Sequence, residues 1–179
     1  MNIFIKTGLL VMVGGAGVLA VIGASSPSGA GNPQLLAGSA LPVRAKAPAW
    51  TLRDVEGREV QSSDYQGKVV VIDFWATWCP PCRKEIPDYI AWQKKYADRG
   101  LVILGFSMDE APPAEVKAFG AKMKINYPLL MAGEAIAEAF GGIEGLPTAF
   151  VIDREGNIRH RKVGLSDPVA YEKLIASLL

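Results

Sequence analysis

Both cysteines of this chain stand in one run, Trp78-Cys79-Pro80-Pro81-Cys82, where an apolar strand pattern gives way to a helical one. Val69 to Trp75 reads as a buried strand, and Arg83 onward as an amphipathic helix. The junction commits the chain to a strand whose end feeds a helix, with Cys79 at the helix N-terminus. Backbone N–H groups and the helix dipole there favour a thiolate over a thiol. A second thiol one turn away completes the machinery of thiol–disulfide exchange.

At 179 residues the chain accommodates one ordinary domain. Nineteen Lys+Arg against 18 Asp+Glu give no basic field for nucleic acid. Two cysteines are too few for a disulfide scaffold, so they read as chemistry. The N-terminus is separate. Lys6 precedes an uncharged run from Thr7 to Gly23, so residues 1–24 read as a signal peptide or a membrane anchor. Cleavage after Ala24 or Ala30 and anchoring by residues 7–23 both stay open. Either way the domain is expected in an extracytoplasmic, periplasmic compartment where disulfides persist. Residues 25–45, rich in Ser, Pro, Gly and Ala, read as a flexible linker, and 46–179 as the domain.

Within it, Pro48–Leu52 and Glu59–Gln61 suggest a hairpin across Glu56-Gly57. Strand 69–75 leads into a helix over 80–97, in which Pro87 predicts a kink. Leu101–Ser107 is a second strand. A helix follows from Pro112/Pro113 to about Lys124, then a strand over Tyr127–Met131 and a helix over Glu134–Phe140. Thr148–Ile152 and Ile158–Val163 form a hairpin, and a helix over about 167–178 closes the chain. This order predicts an α/β fold, a mixed sheet covered on both faces.

For Cys79 and Cys82 three readings compete. A structural disulfide across four residues would constrain little chain entropy. A zinc site needs about two more ligands, and His160 is the only histidine; no metal is expected. The redox dithiol remains, with Cys79 as the exposed attacking thiol and Cys82 as the resolving one. Pro80 and Pro81 have no N–H, so a Cys79 sulfur at the N-cap accepts mainly from Cys82 N–H. Such a donor-poor thiolate argues against a strongly oxidising couple. Trp78 reads as groove lining for a polypeptide, with Pro80 beside it, and Trp75 as core. Asp73 shares a strand face with Val71 and Trp75. It is either a strand residue held by a backbone hydrogen bond or a buried acid that exchanges a proton with Cys82. Glu85 shares a helix face with Cys82 and is either solvated or a second acid–base group. Pro147 in Gly145-Leu-Pro-Thr148 is at least a strand-start residue.

Val71-Ile-Asp-Phe-Trp-Ala-Thr-Trp-Cys-Pro-Pro-Cys82, Pro87 and Gly145-Leu-Pro-Thr148 together resemble the thioredoxin superfamily. The run through Arg83-Lys-Glu-Ile-Pro87 is similar to its TlpA/ResA-type thiol–disulfide oxidoreductases. The resemblance covers about residues 46–179 and implies a thioredoxin-like fold with an N-terminal hairpin and a central insertion over 109–131. It implies that Pro147 is a cis-proline facing the dithiol, and that Leu146 offers backbone hydrogen bonds to a substrate peptide. Glu85 would be the active-site acid and Asp73 the buried acid. The combination departs from ResA-like chains, which often carry a neutral residue where Asp73 stands. The lysine that usually faces the buried aspartate looks replaced by Gly105, which would leave Asp73 without a cationic partner.

The implied function is reduction of disulfides in exported proteins, apocytochrome c among them, without a cofactor. The protein would be kept reduced by a membrane thiol electron donor. Two alternatives share the fold. A peroxiredoxin-like peroxidase wants Pro-x-x-x-Thr-x-x-Cys, where this chain has Ile72 and Ala76. A copper-delivery module wants Cys-x-x-x-Cys and a distal His, one residue more than the spacing here.

Overall fold

A computed structural model describes residues 45–179. The expected leader or anchor at 1–24 and, apart from Ala45, the linker at 25–45 lie outside the described residues. Strands β1 (Thr51–Asp54) and β2 (Glu59–Gln61) form the expected hairpin. They are followed by β3 (Val69–Trp75), helix α1 (Pro80–Tyr96), β4 (Leu101–Ser107) and α2 (Pro113–Met123). Then come β5 (Leu129–Met131), α3 (Glu134–Ala139), β6 (Thr148–Ile152), β7 (Ile158–Val163) and α4 (Pro168–Ala176). One mixed seven-stranded sheet has the order β2-β1-β5-β4-β3-β6-β7.

The central position of β3 follows from its composition. All seven of its residues are buried, which only a strand covered on both faces allows. Val69, Val71 and Trp75 pack with Ile86, Tyr89 and Trp92 of α1, Val116 of α2 and Tyr171 and Ile175 of α4. Val70, Ile72 and Phe74 pack on the other face with Phe106, Phe140 and Phe150. β3–α1–β4 and β4–α2–β5 are successive parallel crossovers that step the same way across the sheet. Crossovers of one hand then put α1 and α2 on the same face.

α1 runs through Pro87 as one helix. Only the bond to the Arg83 carbonyl needs the missing N–H, and the helix continues around it. The strand expected from Tyr127 begins only at Leu129. Pro128 has no N–H for a ladder, and Tyr127 turns into the core.

The row across the sheet that contains Asp73 sets up the site. Asp73 pairs with Gly105 on one side and with Ala149 on the other, and Ala149 pairs with Lys162. The β6–β7 register shifts between Val151 and Ile152, so two steps on β7 match one step on β6 there. Strict alternation from Ile158 would send Lys162 to the α3 face. The bulge sends it to the face of α1 and α4.

Candidate active site

Cys79 and Cys82 are joined in a disulfide with their Cα atoms 5.3 Å apart. Cys79 is the N-cap of α1, and its Sγ accepts from the Cys82 N–H at 3.3 Å. Pro80 and Pro81 fill the first two helical positions, so the sulfur has the single donor that the sequence implies. The approach to the site is pinned from β4. The Asp109 carboxylate accepts from Thr77 N–H (3.0 Å), Thr77 Oγ1 (2.6 Å) and Ser107 Oγ (2.7 Å). Arg83 Nε donates to the Thr77 carbonyl at 2.7 Å.

One expectation is corrected. Cys79, read as the exposed thiol, is 3% exposed against 1% for Cys82. In the disulfide state both sulfurs belong to the cluster under α1, and Leu146 packs against it. Trp78 is the exposed side chain here, at 63%, while Trp75 is core. The Leu146–Pro147 bond is cis. Its loop is held by Gly164 N–H donating to the Pro147 carbonyl and by Thr148 Oγ1 donating to the Gly145 carbonyl, both at 2.7 Å. Among the described residues, Leu146 makes no backbone hydrogen bond of the loop type.

The two acids lie on the α1 face of β3 and on α1 itself. Asp73 is 3% exposed, and its Oδ1 has no hydrogen-bond partner among the described residues. Burial, with the Glu85 charge adding to it, pushes its carboxyl up to about 8, against the opposing pull of Lys162. Glu85 is also buried rather than solvated. Burial pushes its carboxyl up, and the hydrogen bond and charge of Lys162 oppose the shift.

As expected, Asp73 has no ion-pair or hydrogen-bond partner among the described residues, and the one cation that opposes its upward shift, through charge alone, is Lys162. Its Nζ bonds Glu85 Oε1 and lies 5.6 Å from the ring centre of Tyr89 and 5.3 Å from that of Tyr171. The usual lysine position at Gly105 is closed. A Cβ there would come within 2.7 Å of Leu129 Cδ2 and 2.9 Å of Trp75 Nε1. The lysine of this cluster stands instead on β7, two strands from Asp73 across the small Ala149.

Neither Lys162 nor Asp109 stands out in the sequence. Arg159-His-Arg-Lys162 reads as a solvated basic edge, and only the bulge turns its last residue inward. Asp109 follows Ser107-Met108 just past a strand end, and that position is the only local sign of its role.

The AhpC/TSA family profile matches residues 43–161. The thiol-disulfide oxidoreductase ResA of Bacillus thuringiensis subsp. konkukian (strain 97-27) is 35% identical over 117 residues, 65% of this chain and 66% of that one. The protein of the same name from Geobacillus thermodenitrificans (strain NG80-2) is 34% identical, over 68% of this chain and 69% of that one. The chain thus spans about two thirds of the length of these relatives. A solved thiol:disulfide interchange protein of the thioredoxin family from Chlorobium tepidum TLS superposes with a TM-score of 0.70. It is 35% identical over 78% of this chain and 99% of that one.

Proposed function

The chain belongs to the AhpC/TSA family and has a thioredoxin-like fold, and from that premise we propose that it reduces disulfides in exported proteins. It is a thiol–disulfide oxidoreductase that works through Cys79 and Cys82. The observation that carries this reading is the disulfide at the N-terminus of α1, with the Cys79 sulfur at the cap. In the reduced protein the Cys79 thiolate attacks a substrate disulfide, forming a mixed disulfide and releasing one substrate thiolate. Cys82 then loses its proton and attacks the Cys79 sulfur. The Cys79–Cys82 disulfide forms, and the second substrate sulfur leaves as a thiolate. Two electrons pass to the substrate, and Asp73 and Glu85 take and return the Cys82 proton.

Trp78, Pro80, Leu146 and Pro147 form the docking rim, with the Leu146 backbone pairing an extended substrate segment. The domain acts outside the cytoplasm, and residues 7–23 either direct export or anchor it. A membrane thiol donor returns the electrons, and apocytochrome c is one client with suitable cysteines. Among the described residues no helix is long and apolar enough to cross a membrane. A peroxidase is the weaker reading. Ala76, at the place of the required threonine, supplies no hydroxyl, and the Thr77 hydroxyl is committed to Asp109.

Capture by a Cys82→Ala variant tests the proposal. Covalent, reductant-sensitive complexes with exported proteins should accumulate, and Cys79→Ala should give none. An absence of complexes with both variants would remove the protein-disulfide client.

A further inference from the structure

We propose that Lys162 is a positioning residue that couples the Asp73 and Glu85 carboxyls into one proton-sharing unit, and that this unit reaches solvent through the cleft between α1 and the β7–α4 connection. The inference rests on the reductase reading for its meaning, but its geometry is independent of any substrate. Asp73 and Lys162 are two strands apart in one row, roughly 10 Å between Cα atoms at the usual strand spacing. A lysine side chain spans much of that distance. The ammonium lies over the Tyr89 and Tyr171 rings and on Glu85 Oε1, so its position is set by three side chains.

Titratable groups from every element packed around Lys162 face this cluster, Lys84 of α1 among those that line its cleft. β3 supplies Asp73, α1 supplies Glu85, Asp88 and Tyr89, and α4 supplies Tyr171. β7 supplies His160 beside Lys162, and Tyr127 precedes β5. Asp73 Oδ1 lacks a hydrogen-bond partner among the described residues, while Tyr89 lies close enough to Glu85 and Tyr171 to draw down both of their acidic groups. Such an unpartnered oxygen in a buried cluster is costly as static structure. These are the groups that a moving proton would use. A cleft of about 190 Å³ adjoins them, lined by Glu85, Asp88, Tyr89, Ser166 and Tyr171. Glu85 is thus both the ion-pair partner of Lys162 and a wall of the cleft.

During resolution the Cys82 proton passes to the Asp73 carboxylate, and it leaves through Glu85 and the cleft. It returns by the same route when Cys82 is released as a thiol. Lys162 sets how readily either carboxyl gives up its proton. Removing its charge should raise both carboxyls, whereas removing the Glu85 charge should lower Asp73.

The test follows carboxyl carbon NMR titrations of the oxidised protein, which need no substrate, beside pH–rate profiles for reduction of a model disulfide. Lys162→Met should move the Asp73 titration up by about one pH unit or more and Glu85→Gln should move it down, with the double variant between them. The acid limb of the rate profile should move with Asp73. An upward shift of one unit lowers the rate on that limb about tenfold. Lys162→Gln repeats the measurement should the methionine variant fold poorly. Asp73 titrations that stay within a few tenths of a unit, or that shift the same way in both single variants, would overturn the coupling. A wild-type protein that reduces nothing while its titrations shift as expected would instead refute the reductase reading alone.

Discussion

Asp73 and Gly105 face each other across the parallel β3–β4 pair, and the glycine keeps that place because its neighbours leave room for nothing larger. Leu129 and Trp75 occupy the space that a side chain would need. Gly105→Ala should therefore destabilise the fold by about 1–3 kcal/mol through overpacking. Gly105→Lys, which restores the usual thioredoxin arrangement on paper, should destabilise it more. Urea denaturation of the oxidised variants measures both. A neutral or stabilising lysine would show that Trp75 and Leu129 yield easily.

The buried carboxyl of Asp73 makes stability depend on pH. Its carboxyl stands at about 8 in the folded protein against an ordinary 3.8. Between those values the native state holds a proton that the unfolded chain has lost, so stability falls as pH rises through that window. Below it both states are protonated and nothing is lost. Asp73→Asn should leave stability nearly unchanged near pH 4. It should stabilise the protein increasingly toward pH 8, on the order of a few kcal/mol at about 1.4 kcal/mol per pKa unit. Equal differences at both ends of the window would contradict the raised carboxyl.

Legibility in the sequence followed the locality of the cause. The strands at 69–75, 101–107 and 148–152 agree with the structure residue for residue because each apolar run is bounded by turn residues, and 158–163 agrees because the turn Asp153–Asn157 pairs it with 148–152 as a hairpin. Cys79 as N-cap and its single N–H donor follow from the Pro-Pro spacer alone. Lys162 was not legible in the sequence as a neighbour of Asp73 and Glu85. It stands 89 residues after Asp73 in the chain, and its facing depends on a bulge that no residue type announces. The burial of Cys79 comes with its place in the cluster that also holds Trp75, Cys82 and Ile86 and against which Leu146 packs, and the motif displays only the cysteine pair.

Asp109 holds the loop before the dithiol through three donors from Thr77 and Ser107. Asp109→Ala should cost about 2–3 kcal/mol, since buried donors to a charged acceptor lose their partner together. Amide hydrogen exchange should rise at Thr77, whose N–H is then unbonded, while α3 on the other face stays protected. A loss of stability without faster exchange at Thr77 would place the role of Asp109 elsewhere than the loop.

The single donor on the Cys79 sulfur gives the last prediction, on the redox couple itself. With one N–H at 3.3 Å the thiolate of the reduced state is sparingly stabilised. The potential should lie nearer thioredoxin's roughly −270 mV than DsbA's roughly −120 mV. Pro81 stands at the second helical position, whose N–H is within reach of an N-cap side chain. Pro81→Ala restores that N–H. The thiolate gains a second, charge-assisted hydrogen bond, the Cys79 thiol becomes more acidic, and the reduced form is favoured. The couple should become more oxidising by about 20–30 mV, since 30 mV corresponds to about 1.4 kcal/mol. Pro80→Ala adds its N–H at the first helical position, outside the capping geometry, and serves as the control with a smaller shift. Glutathione equilibration of the three proteins measures the potentials, and a thiolate absorbance titration gives the Cys79 acidity. If Pro81→Ala moves neither quantity, or moves them no more than Pro80→Ala does, the Pro-Pro spacer does not tune the couple by withholding a donor.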